Sequence, residues 1–304
     1  MNMIKEGIFC GKFMYHLCFG ELKLWVSPED GMTIYQLEYG ERVVVRYNEE
    51  RCKLNMTHGI PILYPTPNRT KNMSYEFNGI THHTKTHGFA KSQVFEVVNF
   101  GEESDKVFIE GRFVINKDDY IYSLFPYISD LTIRIEVKEN SLHYRYEVHN
   151  KGDKPLPYGF GVHPFFEKNK EDVNITVKAN KVMEMTEEKL PTGILIDVSQ
   201  SDMDMRSGRN IRDLSIDHVF TEIEYSPNAI INYNDLQIEL DSTRDFSHMV
   251  VYTPDMNFFC IENQTCSTDS VNLYNMGFVK ESGLNIVNPK EKAAGEIVFS
   301  FHRK

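Results

Sequence analysis

The clearest hydrophobic pattern in the chain runs from Leu131 to His149. Apolar side chains alternate there with threonine and charged residues, and the alternation is interrupted only at Glu139-Asn140. A period of two places the apolar side chains on one face of a strand and the polar ones on the other. Two such runs predict an antiparallel hairpin with one buried face. His143 and His149 fall on the polar face, so they are predicted to be solvated rather than catalytic.

Shorter apolar runs bounded by glycine, proline and polar residues recur along the chain. They predict strands at Leu22–Val26, Thr33–Tyr39, Arg42–Tyr47, Tyr75–Gly79, Val94–Phe100, Val107–Ile115, Val173–Lys178, Ser215–Glu224, Leu236–Leu240, His248–Thr253, Phe258–Glu262, Leu284–Val287 and Glu296–His302. The first three of these are expected to open a sheet, whereas Leu190–Gly193 is expected to be a turn. No long stretch has the helical period, so the pattern favours an all-β fold, either a large antiparallel sandwich or a barrel.

Composition narrows the class of protein. The chain has 304 residues, of which 41% are hydrophobic and 25% are charged, the balance of an ordinary globular protein. No low-complexity linker is visible, so residues 1–304 are interpreted as one domain. The formal charge of −11 argues against a nucleic acid or an acidic membrane as partner. No signal peptide is recognised, and the five cysteines lack Cys-x-x-Cys spacing, which favours reduced thiols in the cytoplasm.

The segment Tyr158–Glu167 reads Tyr-Gly-Phe-Gly-Val-His-Pro-Phe-Phe-Glu. Pro164 biases His163 toward an extended backbone, and the two glycines permit conformations that a side chain would forbid. We therefore expect His163 at a strand end beside Phe165 and Phe166. Aromatic faces next to a titratable imidazole suit a sugar ring. The alternative is an ordinary core histidine that caps a turn.

Four further side chains with useful chemistry sit beside turns, aromatic residues or strand ends: Arg69, His87, Asp217 and Glu262. A proline-rich loop precedes Arg69 and is expected to fix its position. Glu262 closes an apolar run, and partial burial would raise its pKa toward that of a working base. The alternatives are an ordinary strand-end glutamate at Glu262, a turn residue or helix cap at Asp217, and a surface ion pair at Arg69.

A histidine-rich stretch raises the question of a metal site. His83 and His87 are four residues apart, with His82 adjacent, a spacing that would face one metal ion on a helix. Glycines flank the stretch, and no glutamate or cysteine lies at a matching spacing. No metal site is therefore predicted, and neither Cys260 nor Cys266 has a neighbour in sequence that suggests activation.

Taken in order, these segments resemble the aldose 1-epimerase (galactose mutarotase) family, in its divergent bacterial galactose mutarotase-like branch. The sequence Gly-Val-His-Pro-Phe-Phe around His163 is similar to the family's Gly-x-His-Pro-Tyr-Phe signature. The other similar segments are Asn68-Arg69, His87–Lys91, Leu190–Gly193, Asp217–Phe220, the strand that ends at Glu262, and Asn288–Glu296. The resemblance covers nearly the whole chain.

The resemblance implies a β-supersandwich fold and a cofactor-free reaction that interconverts the α and β anomers of a free aldose. It implies that Glu262 takes the proton from the C1 hydroxyl and that His163 donates one to the ring oxygen. His87, Asp217 and Arg69 would then hold the sugar hydroxyls. A homodimer is compatible with this interpretation.

Two departures from the family pattern bear on the substrate. Lys91 stands where the family has arginine, and Asn263-Gln264 stands where many members have a proline. A related branch acts on hexose 6-phosphates, and Arg69 with Lys91 could bind the phosphate, so this is the second interpretation. A catalytically silent carbohydrate-binding protein is another. The last is a glycosidase or lyase that uses Glu262 and Asp217 as a carboxylate pair.

Overall fold

The computed structural model describes residues 2–54 and 56–304 and is built almost entirely of strands. The strands, numbered along the chain, are β1 (Met3–Phe9), β2 (Lys12–Phe19), β3 (Leu22–Ser27), β4 (Thr33–Tyr39), β5 (Arg42–Val45), β6 (Ile62–Leu63), β7 (Ser74–Phe77), β8 (Ile80–His83), β9 (Glu96–Glu102), β10 (Val107–Ile115), β11 (Ser129–Lys138), β12 (Ser141–Asn150), β13 (Leu156–Tyr158), β14 (Gly161–Val162), β15 (Phe166–Glu167), β16 (Asn174–Val177), β17 (Ala179–Met185), β18 (Pro191–Asp197), β19 (Arg209–Asn210), β20 (Asp217–Ile223), β21 (Ala229–Asn232), β22 (Leu236–Ser242), β23 (His248–Tyr252), β24 (Phe258–Gln264), β25 (Asn285–Val287) and β26 (Lys292–Arg303). They confirm the predicted all-β antiparallel fold.

The helices are short. They are α1 (Glu49–Lys53), α2 (Tyr120–Leu124), α3 (Ser270–Asn275) and α4 (Val279–Ser282), together with 3-10 turns at Pro28–Asp30, Lys71–Met73, Ala90–Ser92, Val198–Gln200 and Ile211–Asp213. Among the described residues no helix has both the length and the apolar character needed to cross a bilayer.

The predicted hairpin is confirmed as β11 and β12, which lie inside a nine-stranded sheet of order β19-β16-β21-β22-β26-β12-β11-β10-β9. Leu131 pairs with Val148 and Ile135 pairs with Tyr144. These side chains join one buried apolar cluster with Leu37 of the other large sheet. The two sheets therefore enclose a common core, as in a β-sandwich. The single domain over residues 1–304 stays a prediction.

The polar face of this hairpin is less solvated than predicted. Glu136 is only 1% exposed, and its Oε1 lies 2.7 Å from Arg134 Nε and 3.1 Å from Arg145 Nη1. His143 Nδ1 lies 2.8 Å from Glu296 Oε1. His143 is thus half-buried and paired, because long cationic side chains lie along this face and cover it.

The 13-stranded sheet follows the order β1-β2-β3-β4-β5-β15-β24-β23-β20-β17-β18, and β14 joins it by pairing with β24 and β6. Along β24 the side chains alternate between two environments. Phe259 and Ile261 belong to the main core, whereas Phe258 and Cys260 belong to a separate small cluster on the opposite face. Glu262 follows the same alternation and therefore lies on the face that points away from the main core.

Several strands were not predicted from the sequence pattern, among them the hairpin of β1 and β2 and the edge pair of β17 and β18. The hairpin of β1 and β2 precedes the strand that was expected to open the sheet, and lysine, glutamate and histidine obscure its alternation. At the other edge, Pro191–Gly193 of the expected turn belongs to β18. Proline is tolerated there because it begins an edge strand. A register shift between Met183 and Met185 of β17 breaks the alternation that would have revealed that strand.

Candidate active site

His163 follows directly after β14, as expected from the sequence. Its backbone N–H donates to the carbonyl of Pro61 over 3.1 Å. Its ring stacks on Phe165 with centroids 4.4 Å apart and an 8° interplanar angle. The side chain is 6% exposed, so both its position and its ring plane are fixed by packing.

Glu262 does not end its strand, because β24 continues to Gln264. It is therefore more buried than expected, with 2% exposure. Glu262 Oε2 accepts a hydrogen bond from Gln264 Nε2 over 2.9 Å. Gly161 pairs with Gln264 across the two strands, which brings His163 to the carboxylate. The resulting distance from His163 Nε2 to Glu262 Oε1 is 3.3 Å.

The surroundings of this pair disfavour charge on either member. Burial, reinforced by the charge of Asp217, raises the pKa of the Glu262 carboxyl well above its usual range. Burial, followed by the influence of His87 and Arg51, lowers the pKa of His163 well below its usual value. Burial thus favours the neutral forms of both side chains. The pair then holds one transferable proton, which suits acid–base chemistry.

His87 lies against this pair from a neighbouring loop. Its backbone has a positive φ of 68°, and its N–H donates to the Asn68 carbonyl over 2.8 Å. Its ring meets that of His163 edge to face, with centroids 5.2 Å apart. Burial, followed by the charges of Lys91 and Arg69, lowers the pKa of His87 to about 3. His87 is therefore neutral near pH 7, and its Nδ1 has no protein partner among the described residues.

Gly88, the next residue, explains why the loop can turn here. Its φ is 70°, and a Cβ on it would lie 2.1 Å from the carbonyl oxygen of Tyr64. Only glycine fits this close approach of two backbones. The Gly88 in the family-like His-Gly-Phe-Ala segment is thus required by the geometry that presents His87.

Arg69 and Asp217 form an ion pair at the same face. Arg69 Nη2 lies 3.2 Å from Asp217 Oδ2. Asp217 is the first residue of β20, not a turn residue or a helix cap, and it pairs with Tyr252, which in turn pairs with Cys260. Directly opposed residues share a face of a sheet, so Asp217 lies on the side of the sheet that carries Glu262. The ion pair considered for Arg69 therefore exists, within the candidate site.

Lys91 lies close to the site without belonging to its centre. It occupies the 3-10 turn Ala90–Ser92 and is half-buried. Burial, followed by the charge of Lys85, lowers the pKa of Lys91, and no described carboxylate is close enough to counter that effect. Both lysines line a cavity of about 510 Å³ that also includes His58.

The structure adds two residues that the sequence analysis did not select. Arg51 in α1 places its guanidinium carbon 5.0 Å from the ring centre of Phe165 and 5.4 Å from that of Phe258. Cys260 lies two residues before Glu262, on the same face of β24. The period of two in this strand could have indicated Cys260, whereas no local pattern marks Arg51.

The histidine stretch does not form a metal site among the described residues. His82 and His83 alternate along β8, with His82 buried and His83 exposed. His82 stacks on Tyr75 at a centroid distance of 4.8 Å. Because the segment is a strand and a loop, the helical spacing of His83 and His87 does not bring them together.

Known proteins share this architecture. The family model described as aldose 1-epimerase matches residues 35–300. A galactose mutarotase-like protein from Clostridium acetobutylicum superposes with a TM-score of 0.86 at 18% identity, over 100% of this chain and 99% of that one. A protein from Synechocystis sp. PCC 6803 gives 0.81 at 21% identity, over 96% of each chain. A galactose 1-epimerase from Lactobacillus acidophilus gives 0.78 at 16%, over 99% of each. With this fold and a family match over most of its length, the chain belongs to the aldose 1-epimerase family.

Proposed function

We propose that the protein interconverts the α and β anomers of a free aldose such as glucose or galactose. The observation that carries the proposal is the buried His163–Glu262 pair, with 3.3 Å between Nε2 and Oε1. Acid–base catalysis of this reaction needs one group to accept a proton at O1 and another to supply one at O5. The two side chains are close enough to act on neighbouring oxygens of one ring.

In the proposed reaction Glu262 accepts the proton of the C1 hydroxyl while His163 donates a proton to the ring oxygen. The C1–O5 bond opens to an aldehyde, the C1–C2 bond rotates, and the reverse transfers close the ring on the other face. This sequence starts with the shared proton on His163. Burial favours that proton on Glu262, so sugar hydroxyls that donate to the carboxylate would help to move it to His163.

The remaining site residues suit the binding of a neutral sugar. Phe165 packs against Phe258 at a centroid distance of 4.9 Å and stacks on His163, so these rings hold the imidazole in place. The ion pair of Arg69 and Asp217 offers donors and acceptors for hydroxyls. Neutral His87 can both donate and accept hydrogen bonds, and the residue as a whole is only partly buried.

A hexose 6-phosphate is the second candidate substrate, and one observation favours it. Lys91 is a half-buried cation close to His87 with no described carboxylate to pair with, and Lys85 lies beside it. A phosphate would supply the missing negative charge. A free aldose remains first, because Lys91 lies beyond the centre of the site.

Polarimetry of freshly dissolved α-D-glucose, α-D-galactose and α-D-glucose 6-phosphate tests the proposal. We expect wild-type protein to accelerate mutarotation of a free sugar and Glu262→Gln to remove that acceleration. Acceleration of the phosphate ester alone, lost in Lys91→Gln, would favour the second candidate. Absence of acceleration with all three would reject these substrates and would favour another aldose or a catalytically silent carbohydrate-binding protein.

A further inference from the structure

Cys260 occupies a place that the proposed reaction leaves unused. It is fully buried in β24 and packs in a small cluster with Phe165 and Phe258. Its side chain points to the same face as Glu262, since the two residues are two positions apart in a strand. A thiol at this position is not needed for proton transfer at a sugar, so its location invites a separate explanation.

Three possible ligand atoms converge here. The thiol sulfur of Cys260, a carboxylate oxygen of Glu262 and a ring nitrogen of His163 all lie within 4.8 Å of one another. The distance from His163 Nε2 to Glu262 Oε1 is 3.3 Å. Nitrogen and oxygen ligands about 2.0–2.2 Å from a tetrahedral zinc ion are roughly 3.4 Å apart. One edge of such a site is therefore already present, and the Cys260 sulfur lies within 4.8 Å of a ligand atom of each of the other two residues.

We propose that His163, Cys260 and Glu262 form a three-ligand site for Zn²⁺, and that zinc binding there inhibits the enzyme. The donor set of sulfur, imidazole nitrogen and carboxylate oxygen selects zinc over magnesium or calcium. Binding deprotonates the thiol and the carboxyl group, and both protons pass to solvent. The inhibition part of this inference rests on the proposed epimerase function, whereas the metal site does not.

Inhibition follows from shared ligands. An ion held by His163 Nε2 and Glu262 occupies the two atoms that the proposed reaction uses for proton transfer. Sugar and zinc therefore compete for one site. The guanidinium of Arg51, which lies over Phe165, opposes a dication nearby, so this position suits reversible binding rather than a permanent structural ion.

Direct metal binding by the chelator-treated full chain is the first test. Zn²⁺ is titrated by calorimetry, and Co²⁺ is titrated while the thiolate-to-cobalt absorption band is recorded. We expect a one-to-one event with that band in wild type. Cys260→Ser is expected to weaken it by at least ~10-fold. Cys266→Ser is the matched control, because it replaces another fully buried thiol, and it is expected to bind as wild type does.

A second cysteine needs its own control. Cys18 Sγ lies 3.3 Å from His16 Nε2, so this pair can also contribute to metal binding. The same titrations on Cys18→Ser are expected to leave the one-to-one event and its absorption band unchanged. The inference is overturned if Cys260→Ser keeps the wild-type affinity and cobalt band, or if Cys18→Ser removes the whole signal.

The inhibition arm uses polarimetry with the sugar that the wild type accelerates. We expect Zn²⁺ to slow wild type and Cys266→Ser and to affect Cys260→Ser much less. Excess sugar is expected to relieve the inhibition. Mg²⁺ is expected to have no effect. Equal inhibition of Cys260→Ser and wild type would contradict the inference. If the wild type shows no epimerase activity, the proposed function fails, while the cobalt band still decides whether the metal site exists.

Discussion

Two buried glutamates among the described residues have opposite electrostatic surroundings. Glu136, on the nine-stranded sheet, is 1% exposed and Glu262, on the 13-stranded sheet, is 2% exposed. Burial alone would raise the pKa of Glu136, but the hydrogen bond from Arg134 and the charges of Arg145, Arg134 and Lys106 outweigh it and lower that pKa. Around Glu262 burial and the charge of Asp217 prevail, and they raise the pKa.

A similar contrast exists between two histidine–glutamate contacts. His143 Nδ1 lies 2.8 Å from Glu296 Oε1, and Arg145 also binds that carboxylate. The hydrogen bond with His143 leads the effects that lower the pKa of Glu296. The His163–Glu262 contact has no such cation within ion-pair distance in the part of the chain that the structure describes. Contact with a histidine therefore accompanies a lowered carboxyl pKa at Glu296 and a raised one at Glu262.

The largest expected effect is on turnover. His163→Asn and Glu262→Gln are each expected to lower turnover by at least roughly a hundredfold, because each removes one proton-transfer group. The matched changes His143→Asn and Glu296→Gln are expected to leave it near wild type. Polarimetry measures all four. Comparable losses in both pairs would remove the distinction between the two contacts.

Glu136 is expected to contribute to stability and not to turnover. Glu136→Gln leaves Arg134, Arg145 and Lys106 facing one another without their shared carboxylate. We expect the free energy of unfolding to fall by about 2 kcal/mol, a value reduced because the cations are partly exposed. Urea denaturation measures it. An unchanged midpoint and slope would show that solvent compensates for the lost ion pairs.

Glu262→Gln is expected to raise the free energy of unfolding by about 1 kcal/mol near neutral pH, since it removes a buried group that resists ionisation. The sign can be checked with pH. A raised folded pKa contributes stability that is complete below the ordinary glutamate pKa and is lost as the pH rises through the folded value. The gain from Glu262→Gln should therefore grow as the pH rises above the ordinary pKa of glutamate.

Glu136 should show the reverse dependence on pH. Its folded pKa is lowered, so its contribution is present above the ordinary glutamate pKa and is lost as the pH falls through the folded value. Denaturation of both glutamine variants across acidic to neutral pH compares the two sites in one experiment. Differences from wild type that run in the same direction with pH would contradict the assigned electrostatics.

The smallest expected effect concerns Arg51. Its charge is one of the influences that lower the pKa of His163, after burial and His87. Arg51→Met keeps much of the packing on Phe165 and removes the charge, so the pKa of His163 should rise modestly. NMR titration of the histidine rings measures this shift, and His143 in the same spectra is the control. An unmoved His163 resonance would limit Arg51 to a packing role.

Local patterns predicted most of the fold. The hairpin of β11 and β12 could be predicted because its alternation is regular, and β4 and β10 have the predicted bounds. β17 was missed because a bulge shifts its register, and β18 because its first residue is a proline. Most of the predicted turn Leu190–Gly193 belongs to β18, because pairing with β17 outweighs the turn preference of its proline and glycine. These are places where tertiary pairing outweighs local preference.

The candidate site was harder to predict, because the sequence does not reveal how distant segments of the chain meet. His163, Glu262, His87, Arg69 and Asp217 were selected from local context and from the family resemblance, and the structure brings these five together. The full burial of Glu262 depends on the pairing of Gly161 with Gln264, a contact between residues far apart in the chain. The proximity of Arg51 and Cys260 to His163 has the same origin.

The most direct test of the central claim is anomer exchange at equilibrium, measured by NMR with galactose and with methyl galactoside. The account predicts protein-dependent exchange between the α and β signals of galactose, lost in Glu262→Gln and retained in Glu136→Gln. It predicts no change in methyl galactoside, whose blocked O1 has no proton to give. Undiminished exchange in Glu262→Gln would contradict the account, and release of methanol from the glycoside would point instead to hydrolysis.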